Sequence, residues 1–234
     1  MVNEKKFPAG RKAIILVSGG LDSAVTLYYA RERGYKCSCL IFDYGQRHRK
    51  EIEAAKKIAR AAGCSCVVLK IALPWKGSAL LDKKITIPGS AKVSKFHGAS
   101  AIPSTYVPGR NIIFLSFALS YAETIGAQAI FIGAHAQDYS GYPDCRPLFY
   151  RAFRNVIATG TKAGVQKRTI AIKTPLLHKS KAGIIRAGSR LGVPFALTWS
   201  CYRGGKVPCG RCDSCFYRRK GFEEAGMKDP LLRQ

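Results

Sequence analysis

Apolar residues in this chain fall into short continuous runs separated by longer amphipathic stretches. Residues 12–17 (KAIILV), 36–42 (KCSCLIF), 66–71 (CVVLKI), 128–133 (QAIFIG) and a stretch near 169–173 are runs of this kind. Runs of that length bounded by turn formers predict strands buried on both faces. Between them, 23–33 (SAVTLYYARER), 49–62 (RKEIEAAKKIARAA), 111–125 (NIIFLSFALSYAETI), 147–159 and 180–191 have helical spacing, and a last short helix is expected near 214–225. Gly34, Gly63 and Gly126 read as helix stops, and Asn111 and Ser180 as N-caps. Strand alternating with helix predicts an α/β fold: a doubly wound, mostly parallel five-stranded sheet with helices on both faces. Residues 74–109, with four prolines and weak periodicity, read as an irregular excursion able to close over a ligand. The expected organisation is one α/β domain over 10–195 that includes this excursion, with 196–234 as a C-terminal segment packed on it.

Composition narrows the class. At 234 residues, 47% hydrophobic and 10% aromatic, the chain suffices for one large domain, or one with a small appendage. No run of about 18 apolar residues predicts a membrane span. The early run AIILV is too short for a signal sequence, so a cytoplasmic, reducing setting is expected, where clustered cysteines read as metal or catalysis before disulfides. The charge changes the picture more. Thirty-nine Lys and Arg against 14 Asp and Glu give +25. No acid occurs between Asp144 and Asp213, where fourteen Lys and Arg lie, nor between Asp82 and Glu123. Such a field attracts nucleotides, nucleic acid or an acidic partner protein. The plainer alternative is a basic surface with no partner.

Ser18 to Ser23 (SGGLDS) lie directly between the first strand and the first helix, the carboxyl edge where doubly wound sheets bind ligands. Its glycines let backbone N–H groups approach an anion, and the helix N-terminus adds its positive end. Ser18 and Ser23 can donate to phosphate, and Asp22 can hold magnesium or cap the helix. The stretch is neither a Walker A loop nor a GxGxxG loop; the plain alternative is a Gly-rich turn with a capping Asp. FDYGQRH (Phe42 to His48), VPGRN (Val107 to Asn111) and DYSGYPDCR (Asp138 to Arg146) all fall on the same edge, though each alone is turn chemistry. Cys201, Cys209, Cys212 and Cys215 form C-x7-C-x2-C-x2-C, four sulfurs within fifteen residues. That set fits a closed, structural zinc site better than a thioredoxin-like redox pair, and places Arg203 and Lys206 of the same loop where they could face an anionic ligand. Cys37, Cys39, Cys64 and Cys66 should be neighbours at the starts of the second and third strands, as small buried hydrophobes or a disulfide. Cys145 is a weak nucleophile candidate, since His48, His97, His135 and His178 form no evident base with it. His135 reads as a hydrogen-bonding loop residue on the active edge.

With SGGLDS in this position the chain resembles the PP-loop ATP pyrophosphatases. SGGxDS, FDYGQRHxxE, PGRN, SGYPDCR and the spaced cysteines, in that order from about residue 12 to 230, resemble the 7-cyano-7-deazaguanine synthase family. The resemblance implies ATP, Mg2+ and one Zn2+, and a ligase that turns 7-carboxy-7-deazaguanine and ammonium into the nitrile through adenylated carboxylate and amide, releasing AMP and pyrophosphate. It assigns Val17, Ser18, Gly19, Gly20, Leu21, Asp22, Ser23, Tyr44 and Gly45 to ATP. Gln46, Arg47, Arg110, Asn111, Asp138, Tyr142 and Asp144 fall to the substrate, with Asp22, Lys181 and Arg110 as catalytic candidates. Lys181 follows the turn Thr174 to Leu176 and would stabilise charge on phosphate. A homodimer is expected. The chain departs from the family pattern at Pro147 and Leu148, where an acid is common, and at Gly183, where a Glu would complete the capping box opened by Ser180. Two alternatives stay open: a PP-loop ligase or thiolase acting on tRNA, and a relative that attaches the deazapurine to a protein amine.

Overall fold

The structure, a computed structural model, describes residues 10–89, 102–135 and 141–231. Five strands, β1 (Lys12–Leu16), β2 (Lys36–Asp43), β3 (Ser65–Lys70), β4 (Ala129–Phe131) and β5 (Ala171–Lys173), form one sheet in the order β3-β2-β1-β4-β5. Every pairing is parallel. Helices α1 (Leu21–Glu32), α2 (Lys50–Ala61), α3 (Arg110–Ile125), α4 (Pro147–Gly160) and the short α5 (Lys162–Val165) lie in the connections between strands, and α6 (Lys181–Arg190) and α7 (Asp213–Glu224) follow β5. The expected sheet and its strand count are therefore present, with β4 and β5 shorter than the apolar runs suggested.

Alternate residues of β1 explain the layering. Ala13, Ile15 and Val17 enter a core shared with α1, α2, α6 and α7. Ile14 and Leu16 enter a second core against α3 and α4. Because the side-chain period of a strand is two, a strand covered on both faces must be apolar throughout; β1 is buried from Ala13 onward. A third, smaller cluster joins Ala54 of α2, Ala79 and Ile87 to Trp199 and three of the C-terminal cysteines.

Two local expectations are corrected. Helix α3 starts at Arg110 with Gly109 in the N-cap position, and Asn111 lies inside it. The Asn111 side chain donates to the Asp144 carbonyl (3.2 Å) and Cys145 Sγ (3.1 Å) instead of capping. Helix α1 starts at Leu21, two residues earlier than the polarity pattern placed it. Ser180 does cap α6, its Oγ accepting from the Gly183 N–H at 3.2 Å.

Strand order reverses between β1 and β4, so the connections leaving these two strands part to opposite faces and open a crevice at their carboxyl ends. SGGLDS leaves β1 there, and His135 leaves β4 there. Among the described residues, no helix is long and apolar enough to cross a membrane.

Candidate active site

The crevice is a cavity of about 1370 Å3, bordered by Ser18, Asp22, Lys181, Arg110 and Tyr142 among others. Its floor is the loop after β1, which is closed by its own serines. Ser23 Oγ accepts from the Ser18 N–H and Oγ, each at 3.2 Å, and donates to the Gly20 carbonyl at 3.0 Å. Ser18 Oγ accepts from the Gly20 N–H at 3.3 Å. Gly19 has φ +87, and a Cβ there would overlap the Glu51 carbonyl oxygen and come within 2.8 Å of Ala55 N. Only glycine lets the loop turn so close to α2.

Asp22 projects from the first turn of α1 toward Lys181, which begins α6. The Lys181 ammonium donates to both Asp22 oxygens at 2.8 Å and lies 2.9 Å from His135 Nε2. The ammonium offers only donors, so this nitrogen accepts. Burial pushes the Asp22 carboxyl upward, but the Lys181 ammonium outweighs it and holds Asp22 well below the ordinary carboxylate range. Asp22 accepts from Lys181 with both oxygens, each of which keeps a lone pair for a further partner. It holds a cation at the mouth of the loop, where an anionic ligand would share it.

Across the cavity stands Arg110, half-buried at the N-terminus of α3, an end that favours anions. Its Nη1 donates to Tyr44 Oη at 3.1 Å, with no carboxylate partner among the described residues. Burial raises Tyr44 and the guanidinium opposes that rise. Tyr142 Oη lies 2.7 Å from Thr105 Oγ1 and its ring faces Tyr106. The wall is thus one unpaired guanidinium among aromatic rings, suited to a flat ligand that carries an acid.

Not every residue expected at the site faces it. Gly19, Gly45 and Arg47 do not border the cavity. Arg47 donates to the carbonyls of Ala79 (3.2 Å) and Ile85 (3.0 Å), pinning the start of the excursion. The Gln46 amide bonds the Tyr44 N–H and the Phe42 carbonyl, so it shapes its own turn while lining the cavity. Asp144 Oδ2 accepts from the Asn111 N–H at 3.0 Å, securing the start of α3. Val17, Gly20, Leu21, Tyr44 and Asn111 border the cavity as well. Asp138 lies outside the described residues. Arg203 and Lys206 are corrected: Arg203 borders a second hollow of about 320 Å3 with Arg47, and neither lines the main cavity. The backbone of Lys206 is held by Lys50 Nζ at 2.8 Å, which turns this part of the loop outward. His135 is the residue underrated from sequence; its weight comes from contact with Lys181, 46 positions away, which no local pattern reveals.

The four C-terminal cysteines converge. Their sulfurs all lie within 4.8 Å of one another, close to the ~3.8 Å ligand separation of a tetrahedral site with ~2.3 Å Zn–S bonds. Cys201 Sγ accepts from the N–H groups of Arg203 (3.4 Å) and Cys209 (3.3 Å), and Cys209 Sγ from that of Cys212 (3.4 Å). Hydrogen bonds from Cys212 and Cys215 hold the Cys201 thiol far below its usual range, and hydrogen bonding with Cys201 and Cys212 pushes Cys215 up. The set cannot ionise together unless a cation joins it. The donors therefore fit zinc, with no room for a fifth ligand among them. The other cysteines are neighbours as expected, Cys39 directly opposite Cys66 on β2 and β3, and all are free thiols.

Comparison with known proteins adds the following. Residues 12–226 match the family described as "Queuosine biosynthesis protein QueC". The chain is 52% identical over 221 residues to 7-cyano-7-deazaguanine synthase 2 of Desulfitobacterium hafniense (strain Y51), covering 94% of this chain and 92% of that protein. Identity to the 7-cyano-7-deazaguanine synthase of Trichormus variabilis (strain ATCC 29413 / PCC 7937) is 50% over 223 residues, 94% of this chain and 97% of the other. The synthase of Alcanivorax borkumensis (strain ATCC 700651 / DSM 11573 / NCIMB 13689 / SK2) is 50% identical over 228 residues, 96% of this chain and the whole of the relative.

Proposed function

The chain belongs to the queuosine biosynthesis protein QueC family, and on that premise we propose that it converts 7-carboxy-7-deazaguanine and ammonia into 7-cyano-7-deazaguanine with ATP. One observation carries the reading: a phosphate-type loop with a held lysine and an arginine that has no acid partner among the described residues open on the same cavity.

In this mechanism the SGGLDS loop and the Lys181 ammonium grip the phosphates of magnesium-bound ATP. The substrate carboxylate, oriented by Arg110, attacks the α-phosphorus and pyrophosphate leaves. Ammonia displaces AMP from the acyl adenylate to give the amide. A second adenylation, on the amide oxygen, lets AMP depart as the C–N triple bond forms. Lys181 offsets charge that builds on the phosphates during both transfers, and Asp22 and His135 keep it aimed. Tyr142 and the neighbouring rings stack the deazapurine, and closure of the cavity excludes water that would hydrolyse the adenylate. Cys201, Cys209, Cys212 and Cys215 would hold zinc, which supplies a structural cross-link. The same reading carries a cytoplasmic homodimer, for which Ile112 and Phe117 of α3 and Val156 of α4 offer exposed apolar surface, and a positive field that draws anions toward the molecule.

The test is pyrophosphate release by the purified chain with ATP, 7-carboxy-7-deazaguanine and ammonium, with the product identified by mass. We expect release that requires the deazapurine and a product with the mass of the nitrile. Release that requires tRNA in place of the deazapurine would overturn the proposal.

A further inference from the structure

We propose that Arg218 is a positioning residue for the phosphate loop, through which the cysteine segment sets the affinity for ATP; the identity of that ligand rests on the function proposed above. Arg218 lies on α7, just beyond the cysteine ligands Cys212 and Cys215, and borders the cavity while only 4% exposed. An arginine in such a place invites assignment to a phosphate. Its hydrogen bonds exclude that.

A guanidinium has five N–H donors, and here each has a protein acceptor. Nε and Nη2 grip the Asp229 carboxylate at 2.7 and 2.8 Å. Nη1 donates to Thr198 Oγ1 at 2.6 Å and reaches Ser200 Oγ at 3.4 Å, and the second Nη2 donor goes to the Phe195 carbonyl at 3.2 Å. Nothing remains for a ligand. Three of the four acceptor residues (Phe195, Thr198 and Ser200) belong to one strap, residues 195–200.

That strap touches the phosphate loop. Between Thr198 and Ser200, the Trp199 N–H donates to the Gly19 carbonyl at 2.9 Å. This fixes the peptide between Gly19 and Gly20, inside the loop. Trp199 is itself fixed from two sides: its indole donates to the Cys201 carbonyl at 3.0 Å, and Lys50 Nζ lies 4.6 Å from its ring centre. The path from the cysteines to the loop is therefore two contacts long. Arg218 anchors the strap to the helix that carries Cys212 and Cys215, and the strap holds Gly19. The loop's own serine bonds fix its inner turn but not its height above α2. A strap held by a fork of planar donors settles that height, because the fork accepts little angular play.

The experiment uses the full zinc-loaded chain, with zinc content checked for each variant. Arg218→Lys keeps the charge for Asp229 and loses the fork; Thr198→Val keeps the shape of the strap residue and removes the acceptor. Binding of a non-hydrolysable ATP analogue is measured by calorimetry, alongside KM for ATP, KM for 7-carboxy-7-deazaguanine, and kcat. We expect both variants to weaken the analogue and raise KM for ATP by about tenfold, the loss of one good charged hydrogen bond, with KM for the deazapurine and kcat changed less than about twofold. Should Arg218→Lys fail to fold, Thr198→Val alone decides. Unchanged analogue binding in a folded, zinc-loaded variant overturns the proposal, and so does an equal rise in both KM values, the mark of a purely structural role. A wild-type chain that binds the analogue yet releases no pyrophosphate with the deazapurine would overturn the substrate reading and leave the comparison of variants intact.

Discussion

The phosphate loop and the cysteine segment are both short and glycine-bearing, and both stand out in the sequence, yet they are completed in opposite ways. Six residues close the loop through hydrogen bonds among Ser18, Gly20 and Ser23; it then borrows its chemistry from far away, from Lys181 and His135. The cysteine segment brings together within fifteen residues its own donors, which fit a cation, and relies on further partners to dock. Those partners include Arg218 with Asp229, a bridge between Gly89 and Cys212, and the cluster around Ala54. A loop that shapes itself can exchange side-chain partners without losing its form. A segment that relies on docking contacts cannot.

Three substitutions break or sharpen that contrast. The largest effect belongs to Cys212→Ser. With zinc on the set as proposed, losing the buried Cys212 thiolate should cost more than about 4 kcal/mol, the range of lost metal sites, and loosen residues 201–231. Rapid proteolytic cleavage confined to that segment, with a fall in Tm, is the expected result; a variant as protease-resistant as wild type would show that packing alone holds it. Next comes Lys181→Met, which removes the charge but keeps the stem. Pyrophosphate release should fall by roughly 10²–10³, as when one charge-stabilising donor is lost, while Tm stays within a few degrees. A Tm collapse would mean that the loop needs Lys181 for its form. The smallest effect is at the seam between the two regions, Gly221→Ala on α7. A Cβ there would overlap Lys181 Cγ and come within 2.9 Å of Ile185 Cδ1. Overpacking of this kind costs about 1–3 kcal/mol, and pressure on the Lys181 stem should lower turnover by a smaller factor than Lys181→Met. Full turnover with lowered Tm would show that α7 supports α6 without aiming its lysine.

Much of the candidate site was legible before folding because its parts are local. SGGLDS sits next to an apolar run, and a run buried on both faces announces a parallel strand. The cysteine spacing needed no fold to be read as a metal site, since small residues between closely spaced thiols leave few alternatives. Other assignments went astray where one residue type serves two purposes. Arg47 and Arg203 have the charge for an anion, yet Arg47 spends its donors on backbone carbonyls of the excursion. Asn111 has the side chain of a cap, but Asp144 takes that task by accepting from its N–H. Charge and propensity rank what a side chain can do; the neighbour that arrives first decides what it does.

By itself the sequence determined the alternation of strand and helix, the sheet type, the loop after β1 and the four-sulfur set, because each follows from periodicity or from spacing within about fifteen residues. Only the tertiary structure decided which cation meets Asp22, that His135 joins it, that Arg110 has no acid partner among the described residues, and that Arg218 is fully spent. Those outcomes depend on which side chains from separate elements come within about 3 Å, and hydrogen-bond geometry at that range is set by packing and not by position along the chain.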